Sequence, residues 1–376
     1  GHYHNALQVK ESKPLQHATS LAGAFKTNGY NTFGYGKITH GWDQKEQWDH
    51  KVGHKRDPAP PGAPLSPVGR GEQDWGPIHL EEKNMNDSQN AEAAIERIQK
   101  KHAQPFFIAY GSFNPHMPWY VPQNYFDLFP EKDIALPPLI ADDLGDVPLL
   151  GQALTAGKGK FVDAVMKAGL HRDAVRAYLA TTAYVDAQMG RIIQALDASP
   201  HRDNTIVVFL SDHGFHLGEK GRWGKYSLWE RATRVNLVWV VPGVTTPGST
   251  SSRPVNLLDI YPTLASLSGC EPPNGQLEGK DLTVLMKNPE ASWDKTSLTV
   301  FGYKNYGLQS ERYRYITYAD GTEELYDHDN DRWEWHNLAD DPEYAAVKRE
   351  MRKGIPAHHE PPGVTYKPPS RKRSAR

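Results

Sequence analysis

Six side chains in this sequence have the types and placement to bind and cleave a small anionic ester: Lys37, His40, His116, Asp212, His213 and Lys225. Ser211-Asp212-His213-Gly214 sets a carboxylate beside an imidazole just past the apolar run TIVVFL. Such a pair can serve a metal ion or a proton transfer, and it equally fits a turn-capping Asp beside a structural histidine. The following stretch 218–225, GEKGRWGK, adds cations and glycines. That composition suits an anionic substrate, and it also suits a solvated charged loop. Gly36-Lys37-Ile38-Thr39-His40 and Asn114-Pro115-His116-Met117-Pro118 each follow an aromatic, strand-like run. Residues beyond the carboxyl ends of strands in an open parallel sheet converge on one crevice, so the six are expected to share a site despite their separation. Two lysines, two further histidines and an Asp-His pair suit hydrolysis of a small anionic ester.

The elements that must position them alternate. Residues 17–28 read as a helix closed by Gly29, and Tyr30 to Tyr35 as a short strand. The run DSQNAEAAIERIQKK has helix formers and basic residues at its end, and leads to the strand FFIAYGSF. Apolar residues at three- and four-residue spacing make 173–197 a helix, which feeds TIVVFL, a strand expected to be buried on both faces. LVWVV (237–241) and LLDIYPTLASLSG (257–269) continue the alternation, so a mostly parallel sheet flanked by helices is expected, an α/β fold. SLTVFGY, YRYITYA and EELYDHD are short alternating segments that predict a small C-terminal antiparallel subdomain, followed by a terminal helix. Residues 42–86 lack periodicity and read as a long surface excursion, in which Asn86-Asp87-Ser88 fits a glycosylation acceptor. The expected divisions are a main domain over 1–285, a subdomain over 286–354 and a basic, Pro-rich, disordered tail over 355–376.

Composition excludes several classes. With 43 Lys plus Arg against 45 Asp plus Glu, the formal net charge of −2 gives no global pull toward nucleic acid or anionic membrane, so any anion site is local. No apolar run is long enough for a membrane-spanning helix. The single cysteine, Cys270, excludes an internal disulfide framework and a Cys-rich zinc module. No targeting signal is visible at Gly1-His2-Tyr3-His4-Asn5.

Five segments in order carry a resemblance across almost the whole chain: NGYNTFGYGKITH, PFFIAYGSFNPHMPWYVP, TIVVFLSDHGFHLGEKGRWGKYSLWERATRVNLVWVVPG, VNLLDIYPTLASLSG and YRYITYADGTEELYDHDNDRWEWHNLADDPE. They resemble type I sulfatases of the alkaline phosphatase-like superfamily, and within them the iduronate-2-sulfatase-like branch. The resemblance implies an alkaline phosphatase-like fold and hydrolysis of the sulfate ester of a carbohydrate. It also implies one Ca²⁺ ion, with Asp212 and His213 among its ligands. Lys37 and Lys225 match the lysines that hold the sulfate oxygens, His116 the histidine that protonates the leaving alcohol, and His40 the one that hydrogen-bonds and later deprotonates the nucleophile. Periplasmic or secreted localisation is implied in the same way.

The family's nucleophile arises from the Cys or Ser of C/S-x-P-x-R, and this sequence contains no such motif. Cys270 sits in SGCEP and Ser370 in KPPSR, neither of which matches, and neither Asp142-Asp143 nor Asp340-Asp341 fits the family's opening Asp pair. The resemblance begins at Gly1-His2-Tyr3-His4-Asn5, which leads to the expectation of a missing N-terminal part, poor solubility from an unpaired internal strand edge, and a chain inactive by itself. The alternatives are a phosphodiesterase or phosphonate hydrolase of the same superfamily, and a non-catalytic anion-binding protein. Trp42, Trp48, Trp75, Trp119 and Tyr120 can stack on sugar rings, or simply pack loops against the core.

Overall fold

The computed structural model describes residues 18–39, 44–156, 159–272 and 277–357, so His40, Trp42 and most of the tail expected from 355 lie outside the described residues. The chain divides into two compact units interleaved in sequence. One comprises Thr19–Leu136 with Asp163–Thr205, the other Gly1–Ala18, Pro137–Val162 and Ile206–Arg376.

In the first unit, α1 (Leu21–Thr27) starts at Ser20, whose Oγ accepts from the Gly23 amide at 3.1 Å. Gly29, with φ +84°, turns the chain into β1 (Asn31–Gly36). β1 is the centre of a parallel sheet in the order β2-β1-β4, with β2 spanning His50–Gly53 and β4 Phe106–Gly111. Parallel β1 and β4 end in register at Gly36 and Gly111, so the chains leaving them emerge side by side. α2 (Asn86–Gln99) buries Ala91, Ala94, Ile95 and Ile98, and packs along α3 (His171–Asp197). The Tyr184 hydroxyl of α3 meets Ser88 Oγ at 2.9 Å. A second parallel pair joins β3 (Trp75–Ile78) to β5 (Trp119–Pro122).

The 42–86 segment is therefore more structured than its composition suggested. It holds β2 and β3, and Asp49 pins the entry to β2 by accepting from the Thr32 amide at 2.8 Å. β2 was unreadable because it is an edge strand with a mostly exposed HKVG sequence, which leaves no apolar alternation to detect. The Asn86-Asp87-Ser88 triplet lies in the first turn of α2 with Asp87 and Ser88 buried, so it is not the open loop expected of a glycosylation acceptor.

In the second unit, β6 (Val207–Leu210) pairs antiparallel with β9 (Leu237–Val240). The expectation of a strand buried on both faces does not hold. Phe209 and Leu210 are each 39% exposed, and Val238 and Val240 reach 51% and 53%. Among the described residues β9 is the only strand paired with β6. The wider α/β reading stands, with parallel strands and flanking helices in the first unit and a C-terminal antiparallel sheet in the second. That sheet is a meander of β10 (Ser297–Val300), β11 (Tyr306–Gln309), β12 (Tyr313–Thr317) and β13 (Glu323–Asp327). Tyr306, Leu308, Tyr315 and Leu325 form its core against Met351 of the terminal helix α5 (Ala345–Met351), once α4 (Ile260–Ser268) has ended at left-handed Gly269. No described helix is long and apolar enough to cross a membrane.

Candidate functional site

The first unit gathers its candidate groups around one ring. Lys37 Nζ lies 5.4 Å from the centroid of Phe113, and the His116 ring 5.0 Å from it. Lys37 leaves the end of β1 and Phe113 the end of β4, so their meeting follows from the parallel register. The two exits touch through glycines. A Cβ at Gly111 would collide with the carbonyl oxygen of Lys37, and one at Gly36, which has φ +79°, with the carbonyl oxygen of Gly111. Gly111→Ala must therefore push Lys37 away, and is expected to destabilise the unit by about 1–3 kcal/mol. A urea midpoint equal to wild type would show that this contact is not tight.

The 112–114 loop that carries Phe113 is held by Asp87, which in sequence reads only as part of a helical run. Asp87 is buried, and its carboxylate accepts from the Phe113 amide at 2.8 Å, the Asn114 amide at 3.0 Å, Asn114 Nδ2 at 2.8 Å and Ser112 Oγ at 2.8 Å. His116 Nδ1 donates to the Met117 carbonyl at 2.6 Å. With Nδ1–H committed there, Nε2 is the nitrogen that gains or gives up the second proton. His54 and Arg56, also missed, complete the group: His54 stacks on Phe113 at 5.7 Å and the Arg56 guanidinium lies 5.0 Å from the same ring. Cation–π attraction favours such gathering of cations on one aromatic face.

The second unit holds Asp212, His213 and Lys225. Ser211 Oγ donates to the His213 carbonyl at 2.9 Å and the Gly214 amide to Ala232 at 2.9 Å, which turns the chain sharply after β6. A side chain at Gly214 would collide with the Arg231 carbonyl oxygen. β7 (His216–Leu217) then pairs antiparallel with β8 (Trp223–Gly224). Extending that register by one residue sets Lys225 opposite Phe215, two residues from His213. Lys225 Nζ lies 5.7 Å from the Tyr226 ring.

His213 Nδ1 donates to the Gly214 carbonyl at 2.8 Å, and its Nε2 lies 3.6 Å from Asp212 Oδ1. An imidazole nitrogen and a carboxylate oxygen at this spacing are placed roughly as neighbouring ligands on an ion with bonds near about 2.4 Å. The pair fits a divalent ion as part of its ligand set; a hard ion such as Ca²⁺ requires further oxygens. Another cluster with ligand types, Glu230, His328 and Glu334, already surrounds a cation: Arg314 pairs with both glutamates.

Two cations of the charged stretch 218–225, Lys220 and Arg222, depart from both expectations. Lys220 and Arg222 are only 3% and 2% exposed, so they neither face a substrate nor form a solvated loop. Lys220 Nζ meets Asp143 Oδ1 at 2.8 Å and also donates to the Glu334 carbonyl. Beside it, burial and then the Arg222 charge press the His216 imidazole down to about 3. Between about 3 and the unperturbed 6.5, the unfolded chain protonates this ring while the folded chain keeps it neutral. Stability is thus expected to fall as pH drops through that window, by up to about 1.4 kcal/mol per unit from this group. His216→Gln should flatten the acid limb of the urea midpoint below about pH 6.5, read down to about pH 5, by up to that slope; parallel profiles would mean the ring does not titrate this way.

Comparisons of the sequence with known proteins point to one family. Residues 1–270 match the family profile described as Sulfatase, and residues 218–360 the one described as N-sulphoglucosamine sulphohydrolase, C-terminal. A protein named sulfatase from Formosa agariphila is 34% identical over 366 residues, covering 94% of this chain and 72% of that protein. Human iduronate 2-sulfatase is 29% identical over 66% of this chain, which spans 54% of the human protein. Among solved structures, one in complex with its substrate D-glucosamine-2-N,6-O-disulfate aligns with a TM-score of 0.69 at 21% identity, over 89% of this chain and 80% of that one. The phosphonate monoester hydrolase of Agrobacterium radiobacter aligns with the same TM-score and identity, over 89% of this chain and 78% of its own.

Proposed function

The chain belongs to the sulfatase family, and on that premise we propose that it is a sulfuric ester hydrolase, of the iduronate-2-sulfatase-like branch, that takes a sulfated carbohydrate. The observation that carries this reading is the convergence of Lys37 and His116 on Phe113 at the carboxyl ends of β1 and β4. A cation and a proton donor together are what S–O cleavage requires: charge builds on the sulfuryl oxygens and on the departing sugar oxygen as the bond breaks. Lys37 and Lys225 offset the first charge. His116 gives the proton on Nε2 to the second, because its Nδ1–H stays on the Met117 carbonyl. Asp212 and His213 hold part of the divalent ion that sulfatases bind, with Ca²⁺ the proposed species. That ion neutralises sulfate charge when bound. His40 is proposed as the base that handles the nucleophile's proton.

The attacking group is not assigned to any of these 376 residues, since none lies in C/S-x-P-x-R. The chain by itself is therefore proposed to bind sulfate esters without turning them over, and the proposed localisation is periplasmic or secreted. Likeness to phosphonate monoester hydrolases supports the shared fold, whereas the 34% identical relative is a sulfatase. The test is calorimetric titration with a sulfated monosaccharide. Lys37→Ala is expected to weaken binding about tenfold, the loss of one charge-assisted contact to the anion. Unchanged affinity in that variant, or a sulfated protein intermediate on the wild-type chain, would contradict the assignment.

A further inference from the structure

The loop that leaves β13 carries Trp333 and Trp335, and neither takes part in the chemistry above. Both are half-buried, and their rings lie nearly parallel, with 17° between the planes and centroids 6.3 Å apart. Trp75, Trp119, Trp229 and Trp293 each donate the indole N–H to an acceptor of the protein. Trp333 and Trp335 have no such acceptor among the described residues, so their N–H groups stay open to water or a ligand.

Cations gather on this pair. The Arg231 guanidinium lies 4.1 Å from the centroid of Trp333, and that of Arg332 lies 5.1 Å from it. Arg231 leans on Glu219 at 3.6 Å, whereas Arg332 is exposed and has no ion pair among the described residues. The two acids next to the pair in sequence are engaged inside the protein. Asp331 accepts from the Trp333 amide at 3.3 Å and the His336 amide at 2.8 Å, while buried Glu334 bonds Arg314, His328 and the Glu230 amide. Glu334 also stands at φ +61°, a left-handed conformation uncommon for a residue with a side chain, and its buried carboxylate holds it there. Beyond it, the Asn337 amide donates to Asp146 Oδ2 at 2.7 Å and closes the loop. The aromatic pair is thus set before any ligand arrives, which lowers the entropy cost of binding.

Indole faces with open N–H donors suit the C–H faces and hydroxyls of a pyranose, and guanidinium groups suit sulfate, which they bond through two oxygens at once. We propose that Trp333 and Trp335, with Arg332 and Arg231, form a surface site for one sulfated sugar residue of a polysaccharide. It uses none of the residues assigned to the sulfate that is cleaved. The choice of a sulfated sugar as occupant rests on the sulfated-carbohydrate reading above.

Calorimetry on the full chain with dextran sulfate, neutral dextran and polyphosphate reads the site. The variants are made in the Lys37→Ala background, so that binding at the Lys37 group does not mask the loop. Dextran sulfate is expected to bind about tenfold or more tightly than either other polymer. Trp333→Ala and Trp335→Ala should each weaken it about tenfold and Arg332→Ala about threefold, while Trp333→Phe, which keeps an aromatic face, should hold most of the affinity. Where Trp333→Ala lowers the urea midpoint, Trp335→Ala and Arg332→Ala decide. Dextran sulfate bound equally with and without Trp335→Ala, or neutral dextran or polyphosphate bound as tightly as dextran sulfate, overturns the site. A sulfated monosaccharide titrated into the wild-type chain and Lys37→Ala tests the parent reading separately. Equal affinities there remove the sulfate assignment, while the losses of dextran sulfate binding in the tryptophan variants are still read.

Discussion

Replacing Asp87 with alanine is expected to lower the unfolding free energy by about 3–5 kcal/mol, the largest effect of any single site around Phe113. The cost arises from the donors left behind. Two backbone amides, one side-chain amide and one hydroxyl all point at this buried carboxylate, and an alanine methyl can accept from none of them. Asp87→Asn keeps one oxygen but turns an NH₂ toward donors, so its midpoint should fall between wild type and alanine. Binding should respond as well, because the 112–114 loop leads directly to His116. A urea midpoint for Asp87→Ala within about 0.5 kcal/mol of wild type would mean that water replaces the carboxylate without loss.

Lys220→Met is expected to cost a similar amount, about 3–5 kcal/mol, for a different reason. Lys220 and Asp143 are both buried, and removing the ammonium leaves the Asp143 carboxylate in a poorly solvated place. Burial already raises the Asp143 carboxyl above its ordinary value against the pull of Lys220, so without the lysine the rise should be larger. The double variant Lys220→Met with Asp143→Leu removes both charges and should recover much of the loss. Denaturation midpoints of the two single variants and the double variant decide it. If the double variant is as unstable as the sum of the singles, the ion pair is not the source.

Much of the frame was legible because its apolar periodicity is local. α1, β1, α2, β4 and α3 all follow from runs of a dozen or so residues and their caps. The edge strands β2 and β3 were not legible, since their partners β1 and β5 supply what their own residues lack. The burial of TIVVFL was overstated because an apolar strand says nothing about which neighbours cover it. Lys37 and His116 could be singled out by their position after strands, a general property of open sheets. Asp87 could not. Its partners lie 25 to 27 residues along the chain, and an Asp in the first turn of a helix is ordinary in sequence. The same holds for Lys220, whose charge suggested an exposed role until Asp143, 77 residues away, was seen to bury it. Charge type is written in the sequence; the environment of that charge is set by distant segments.

Lys37 and His116, which converge on Phe113, are proposed to hold one sulfate ester. A double-mutant cycle in binding of a sulfated monosaccharide checks this, using the wild-type chain, Lys37→Ala, His116→Ala and the double variant. Each single variant is expected to weaken binding about tenfold, and the double variant to depart from the product of the two by a coupling of about 0.5 kcal/mol or more. His116→Ala binding at wild-type affinity, or two losses that multiply without coupling, would contradict a shared anion.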